Sequence, residues 1–207
     1  MKLLEMKPSA AQGKVLLKFE DGSKLRVPYF LAADHGLHGD MELTDEALAQ
    51  LREAAGKQSA KERAVRILSM TNTTRQGLRR SLRAKGESAE DTDAALVWLE
   101  ELNLLDDRAA AEAMVRSAVG KGYGSRRIRE ILRNKGVEQP LCEELIAALP
   151  PMEDAVDRIL RQKLKSVPPE EKEIRHAVDA LLRYGHEWQD IRAGLTRFRA
   201  EIDGEEL

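Results

Sequence analysis

Apolar residues recur at two spacings along the chain, and the change of spacing divides it. In GKVLLKFEDGSKLRVP they alternate, at Val15, Leu17 and Phe19 and again at Leu25 and Val27. A period of two marks strands with one buried face. Asp21-Gly22 between the two runs is a dipeptide that tight hairpin turns favour. Residues 1–28 therefore read as strands, with LLEM (3–6) a candidate third. HGLHGD (35–40) reads as a turn. Thr44 then stands where an N-cap belongs, ahead of DEALAQLREAA, with Asp45 and Glu46 at the positive end of that helix. Gly56 is the expected helix stop. Residues 1–56 thus form a β-hairpin and helix unit.

From Lys57 onward the spacing is helical. Ala60, Ala64, Ile67 and Leu68 share one face. Thr73 and Gln76 fit a capping box for a helix ending at Gly86, and Ser88 and Asp91 open the next, with Leu96 and Leu99 inward. The plan then repeats. AAAEAMVRSAV leads to Ser125 as the cap of RRIREILRNK, then Gly136, then PLCEELIAAL with Pro140 in its first turn.

A shift of 50 residues superposes Leu78 on Ile128, Leu82 on Leu132, Gly86 on Gly136, Leu96 on Ile146 and Leu99 on Leu149. A further shift of 49 reaches Gly185, Leu195 and Phe198. Third-unit helices are expected near 152–165, 170–184 and 188–202, with Pro168-Pro169 stopping the first. The fold class is mainly α. Three tandem three-helix repeats, at 58–105, 106–150 and 151–203, form an elongated curved array behind the N-terminal β-hairpin/helix unit. Cys142 aligns with Thr92 and Ile191 on an inward stripe, so it reads as a packed thiol. Trp98 and Trp188 read as core or inter-repeat packing.

Charge changes the picture. Arg75, Arg79 and Arg83 are spaced by four on one helix, so they share a face, and Lys85 closes the stripe. Arg129, Arg133 and Lys135 repeat it one unit later. No acid lies between Arg75 and Lys85, and only Glu130 lies between Arg116 and Lys135. A helix face serving solubility alone would mix signs. The pattern points to one outward basic surface for a polyanion or an acidic protein face, with arginine suited to bidentate contacts. The candidate binding residues are Arg79, Arg80, Arg83, Lys121, Arg126, Arg127, Arg129, Arg133 and Lys135. The stripe ends in the third unit, where Val178 and Leu182 occupy the matching positions. The loop GKGYGS offers backbone N–H groups at a helix start, where one phosphate would sit, and Tyr123 for stacking on a base. A plain connector explains that loop equally well.

Composition narrows the classes. The 207 residues carry 34 Lys and Arg against 36 Asp and Glu, a net charge of −2, so affinity for nucleic acid must come from local clustering. One cysteine excludes an internal disulfide and suits a reducing compartment. The N-terminus lacks a signal-peptide core, and no apolar run reaches the ~20 residues of a membrane helix. The expected location is the cytoplasm. His35 and His38, near Asp34 and Asp40, have metal-ligand types but lack a third cluster, and a turn explains them better. Asp106-Asp107, Glu100-Glu101 and Glu143-Glu144 sit at helix starts or on solvated faces. Catalytic residues, metal and cofactor are all expected to be absent.

The stretch WLEELNLLDDRAAAEAMVRSAVGKGYGSRRIREILRNKG resembles the bacterial RecX regulators. Their signature runs here as Leu105-Asp106-Asp107, Arg116-Ser117, Lys121-Gly122, Arg126-Arg127-Ile128-Arg129 and Lys135-Gly136. The resemblance spans about residues 58–202. Departures are Arg108-Ala109-Ala110, Met114, Gly77 and Glu87. What the resemblance implies is a non-enzymatic regulator of RecA that binds within the groove of the RecA–single-stranded-DNA filament; the chain itself is expected to be a monomer. There it would inhibit filament extension, ATP hydrolysis, strand exchange and the SOS coprotease response. The alternative is a helix-turn-helix protein reading duplex DNA through RRIREIL, which would call for a two-fold dimer; no dimerising heptad is visible.

Overall fold

Leu3, Val15, Leu17, Phe19 and Val27 all point to one side of a sheet, each nearly or fully withdrawn from solvent. They come from β1 (Lys2–Pro8), β2 (Lys14–Phe19) and β3 (Lys24–Pro28), joined by β4 (Met41–Glu42) in an antiparallel sheet of order β3-β2-β1-β4. The computed structural model describes residues 1–10 and 13–205; Ala11 and Gln12, within the segment expected as strands, lie outside the described residues. Gly22 takes the positive φ expected of it, 80°, and the Asp21 carboxylate accepts from Ser23 N and Oγ at 2.9 and 2.6 Å. A short helix, α1 (Tyr29–Asp34), follows Pro28. It lies where no periodicity announced it, because six residues are too few to show a helical repeat. β4 was equally silent.

Thr44 caps α2 (Asp45–Met70), accepting from Ala47 N at 3.1 Å. The helix does not stop at Gly56; it continues without a break for 26 residues. A Cβ on Gly56 would lie 2.5 Å from Asp91 Oδ2, so glycine here makes room for the first turn of α4 (Ala89–Glu101). The backbone cost of glycine inside a helix, about 1 kcal/mol, is offset by that packing. The sheet unit and the first repeat thus share one helix. Contacts group Met1–Thr71 with Leu78–Leu105 as one compact unit, and Asn72–Gly77 with Asp106 onward as a second. The division falls inside α3 (Arg75–Ala84).

In the first unit Ala60, Ala64, Leu78, Leu82, Ala95, Leu96 and Leu99 make the three-helix core, beside the sheet's own core closed by Leu48 and Leu51. The cap of α3 is Thr74 rather than Thr73, with Gly77 N donating to its Oγ1 at 3.0 Å. Ser88 caps α4 as expected.

The second unit holds α5 (Asp107–Gly120), α6 (Ser125–Lys135) and α7 (Gln139–Ala147), then α8 (Glu153–Lys163), α9 (Glu171–Tyr184) and α10 (Trp188–Glu205). One core gathers Ala111, Ala118, Ile128, Leu132, Val137 and Cys142; the next gathers Val156, Leu160, Ala177, Leu181 and Ile191. Asp106 caps α5. The repeat signals hold in the backbone: Gly86, Gly136 and Gly185 end the middle helices at φ of 89°, 81° and 85°, a region that favours glycine. Thr92, Cys142 and Ile191 are all buried. Trp98 is half-buried under the Lys61 ammonium, 5.0 Å from the ring centroid. Trp188 departs from expectation: it stands on the first turn of α10, 52% exposed.

Candidate nucleic-acid interface

The α3 cations find acids that a reading along the helix cannot see. Arg79 donates through Nε and Nη2 to Asp93 Oδ1 on α4, at 3.2 and 2.9 Å. Arg83 Nη1 donates to the Glu87 carbonyl at 2.6 Å, while Arg80 and Lys85 stand exposed. The second unit repeats the arrangement. Arg129 pairs with Glu143 of α7 at 3.2 Å, and Arg133 reaches the same carboxylate at 3.6 Å. For Arg79 and Arg129 alike the acid lies 14 residues beyond the arginine, on the third helix of the repeat where the arginine is on the second. Arg127 pairs with Glu130 at 2.6 Å. The third repeat loses both partners: Val178 and Arg192 take the places of Arg129 and Glu143, and Val178 packs on the core.

The absence of acids along α3 therefore does not mean an uncompensated stripe. These pairs are nonetheless partly exposed, and such pairs contribute about 0–1 kcal/mol. An arginine can exchange its carboxylate for a phosphate at small cost. Lys121, Arg126 and Lys135 differ from the paired set: all three are exposed, and among the described residues none of their side chains forms an ion pair. They occupy the turn before α6, its first turn and its last.

The loop before α6 is not a phosphate cradle. Gly122 N and Tyr123 N are taken by the carbonyls of Val119 and Ala118, at 2.8 and 3.1 Å. Gly124 N donates to Tyr184 O at 2.9 Å and Arg126 N to Gly185 O at 3.1 Å. The cap is Gly124, with Ser125 already helical and its hydroxyl donating to Glu187 at 2.9 Å. His186, buried, donates from Nε2 to the Gly122 carbonyl at 3.0 Å. The start of α6 thus docks on the end of α9. The same joint occurs one repeat earlier, where Thr74 Oγ1 donates to Lys135 O at 2.6 Å. In both, donors at a helix start satisfy carbonyls that a helix end leaves open. Gly77 belongs to that joint, since a Cβ there would lie 3.2 Å from Lys135 O.

Glu87 is accounted for as well. Its carboxylate is buried and held by Arg63 Nε at 3.0 Å and Ser59 Oγ at 3.2 Å, at the position Val137 and His186 fill in the other repeats. Burial raises the Cys142 thiol above its ordinary pKa, which suits packing rather than nucleophilic chemistry. Among the described residues no group of three or more His, Cys, Asp or Glu is placed to hold a metal, and His38 Nδ1 lies 3.0 Å from Gly39 O within its turn. No described helix is long and apolar enough to cross a membrane.

Fold and charge define the class: tandem three-helix repeats with cations concentrated on the middle helices. Residues 106–146 match the family model described as RecX, second three-helix domain. The regulatory protein RecX of Vibrio vulnificus is 31% identical over 140 residues, covering 67% of this chain and 92% of that protein. The RecX of Cronobacter sakazakii is 32% identical over 152 residues, covering 66% and 90%. A crystal structure of regulatory protein RecX shares the fold, with a TM-score of 0.63 over 93% of this chain and 98% of the other, at 19% identity. The chain belongs to the RecX family of regulatory proteins.

Proposed function

We propose that the protein is a non-enzymatic, monomeric modulator of RecA. It binds RecA and the RecA–single-stranded-DNA filament, and inhibits filament extension, ATP hydrolysis, recombinase activity and SOS coprotease activity. Membership of the RecX family supports RecA as the partner. The observation that carries the reading is the exposed set Lys121, Arg126 and Lys135, cations on one helix and its leading turn that no acid of the described residues neutralises. Arg79, Arg80, Arg83, Arg127, Arg129 and Arg133 add contacts, the ion-paired members by exchanging carboxylate for phosphate or for an acidic group on RecA.

No covalent step is needed. Tighter binding to one filament state shifts the population toward that state in proportion to the difference in affinity. The test is RecA ATP hydrolysis on single-stranded DNA at substoichiometric protein, alongside binding to bare DNA at several salt concentrations. Inhibition well below one protein per RecA is expected, with weak, salt-sensitive binding to bare DNA. No effect on RecA, together with tight binding to one duplex sequence, would replace this reading with a helix-turn-helix DNA binder.

A further inference from the structure

Beside α6 the second unit has a cavity of about 210 Å³ that the basic face does not explain. Its apolar lining includes Met114, Ile131 and the ring of Tyr123, and its rim carries Asn72, Ser117 and Lys121. Pockets for whole drug-sized ligands run to about 300–1,000 Å³, so this one has room for a single ring system. Tyr123 is steadied from outside the cavity, its ring centroid 5.6 Å from that of Tyr184 at a 59° tilt.

The rim decides what kind of ring. Among the described residues the Asn72 amide and the Ser117 hydroxyl make no hydrogen bond, and Lys121 makes no ion pair. An aliphatic or phenyl anchor from a protein partner would cover these polar groups and leave them unsatisfied, which costs free energy. A nucleobase offers a flat face to Tyr123 and the apolar floor, an edge with donors and acceptors to Asn72 and Ser117, and a phosphate one bond system away for Lys121.

From this we infer that the cavity takes one unstacked base of single-stranded DNA, held by Tyr123, read weakly at its edge by Asn72 and Ser117, and tethered at its phosphate by Lys121. The inference rests on the proposed function and deepens it, adding base contact to phosphate contact. A free nucleotide lacks the flanking phosphates that the α6 cations hold, so a strand is the occupant.

The experiment compares fluorescein-labelled oligothymidylate with an abasic oligonucleotide of equal length, by fluorescence anisotropy, with thymidine monophosphate as competitor. Stacking one base predicts roughly tenfold tighter binding of the base-bearing strand. Ser117→Leu, an exposed position whose larger side chain fills the cavity, should erase that preference while abasic binding and helical circular dichroism stay unchanged. Asn72→Ala should reduce it partly. Equal binding of the two strands by the natural protein, or a preference that survives Ser117→Leu, overturns the pocket. Displacement by the monophosphate at concentrations matching the oligonucleotide overturns the strand as occupant. RecA inhibition that persists without base preference removes the pocket alone, whereas base preference without RecA inhibition removes the proposed function alone.

Discussion

Gly124→Ala isolates what holds the second and third repeats together. Gly124 has φ −81°, a value alanine adopts freely, so the substitution introduces no backbone strain. Its new methyl would lie 2.5 Å from both the carbonyl carbon of Gly185 and the Cα of His186. Those are backbone atoms and cannot swing aside. Overpacking of this kind costs about 1–3 kcal/mol. Separating the two helix ends of the joint also stretches the bonds from Gly124 N and Arg126 N, each contributing about 1 kcal/mol. Against this, removing a glycine from the unfolded chain returns at most about 1 kcal/mol. The net loss is about 2–4 kcal/mol, which at about 2–4 °C per kcal/mol for a chain of this size lowers the melting temperature by roughly 5–15 °C. Thermal denaturation followed by circular dichroism measures it. Gly120→Ala is the control: nothing lies within 4 Å of its added Cβ, so stability should hold or rise by up to about 1 kcal/mol. A Gly124→Ala protein that melts at or above the natural one would refute the interlocked joint.

Three further outcomes follow from the ion pairs and the buried groups. Glu143→Gln removes the carboxylate shared by Arg129 and Arg133, so single-stranded DNA should bind severalfold tighter, with a log–log salt slope steeper by up to about 1; unchanged binding in a salt titration would mean those arginines do not meet DNA. Glu87→Ala should cost about 1–3 kcal/mol in urea unfolding, because it strips a buried acceptor from Arg63 and Ser59. Glu87→Val, copying Val137, should restore most of that loss, and failure to do so would count against the repeat alignment. Burial holds the His186 pKa below its ordinary 6.5, so below that pH the unfolded chain binds a proton the folded one resists. Stability from this group is complete above 6.5 and falls as pH drops beneath it, by at most about 1.4 kcal/mol per pH unit. His186→Leu should flatten the loss between pH 6.5 and 5; an equal loss in both proteins would place the sensitivity elsewhere.

The repeat was legible because its period is written in residues with local work to do. Gly86, Gly136 and Gly185 each serve a left-handed helix end, and Thr92, Cys142 and Ile191 each fall on an inward face. What the chain's pattern concealed depends on neighbours far apart in sequence. Gly56 looks like a stop signal until Asp91 is seen beside it. The α3 stripe looks uncompensated until Asp93 arrives from the next helix. Ser125 looks like a cap until Gly124 is found against Gly185. Trp188 reads as core on hydropathy alone, and only the packing of α10 shows it half in solvent. The cations of the candidate site were readable as residues; which of them are paired was not, since apart from Arg127, whose Glu130 lies on the same helix, their carboxylate partners come from α4 and α7.

The most direct test reverses Lys121, Arg126 and Lys135 together, the exposed cations of α6 and its leading turn that form no ion pair among the described residues. RecA filament extension on single-stranded DNA would be followed in the presence of the natural protein and of the Lys121→Glu, Arg126→Glu, Lys135→Glu variant, with circular dichroism confirming equal helicity. The natural protein should halt extension at substoichiometric amounts and the variant should leave it running. Extension halted equally by both, or by neither, would contradict the account.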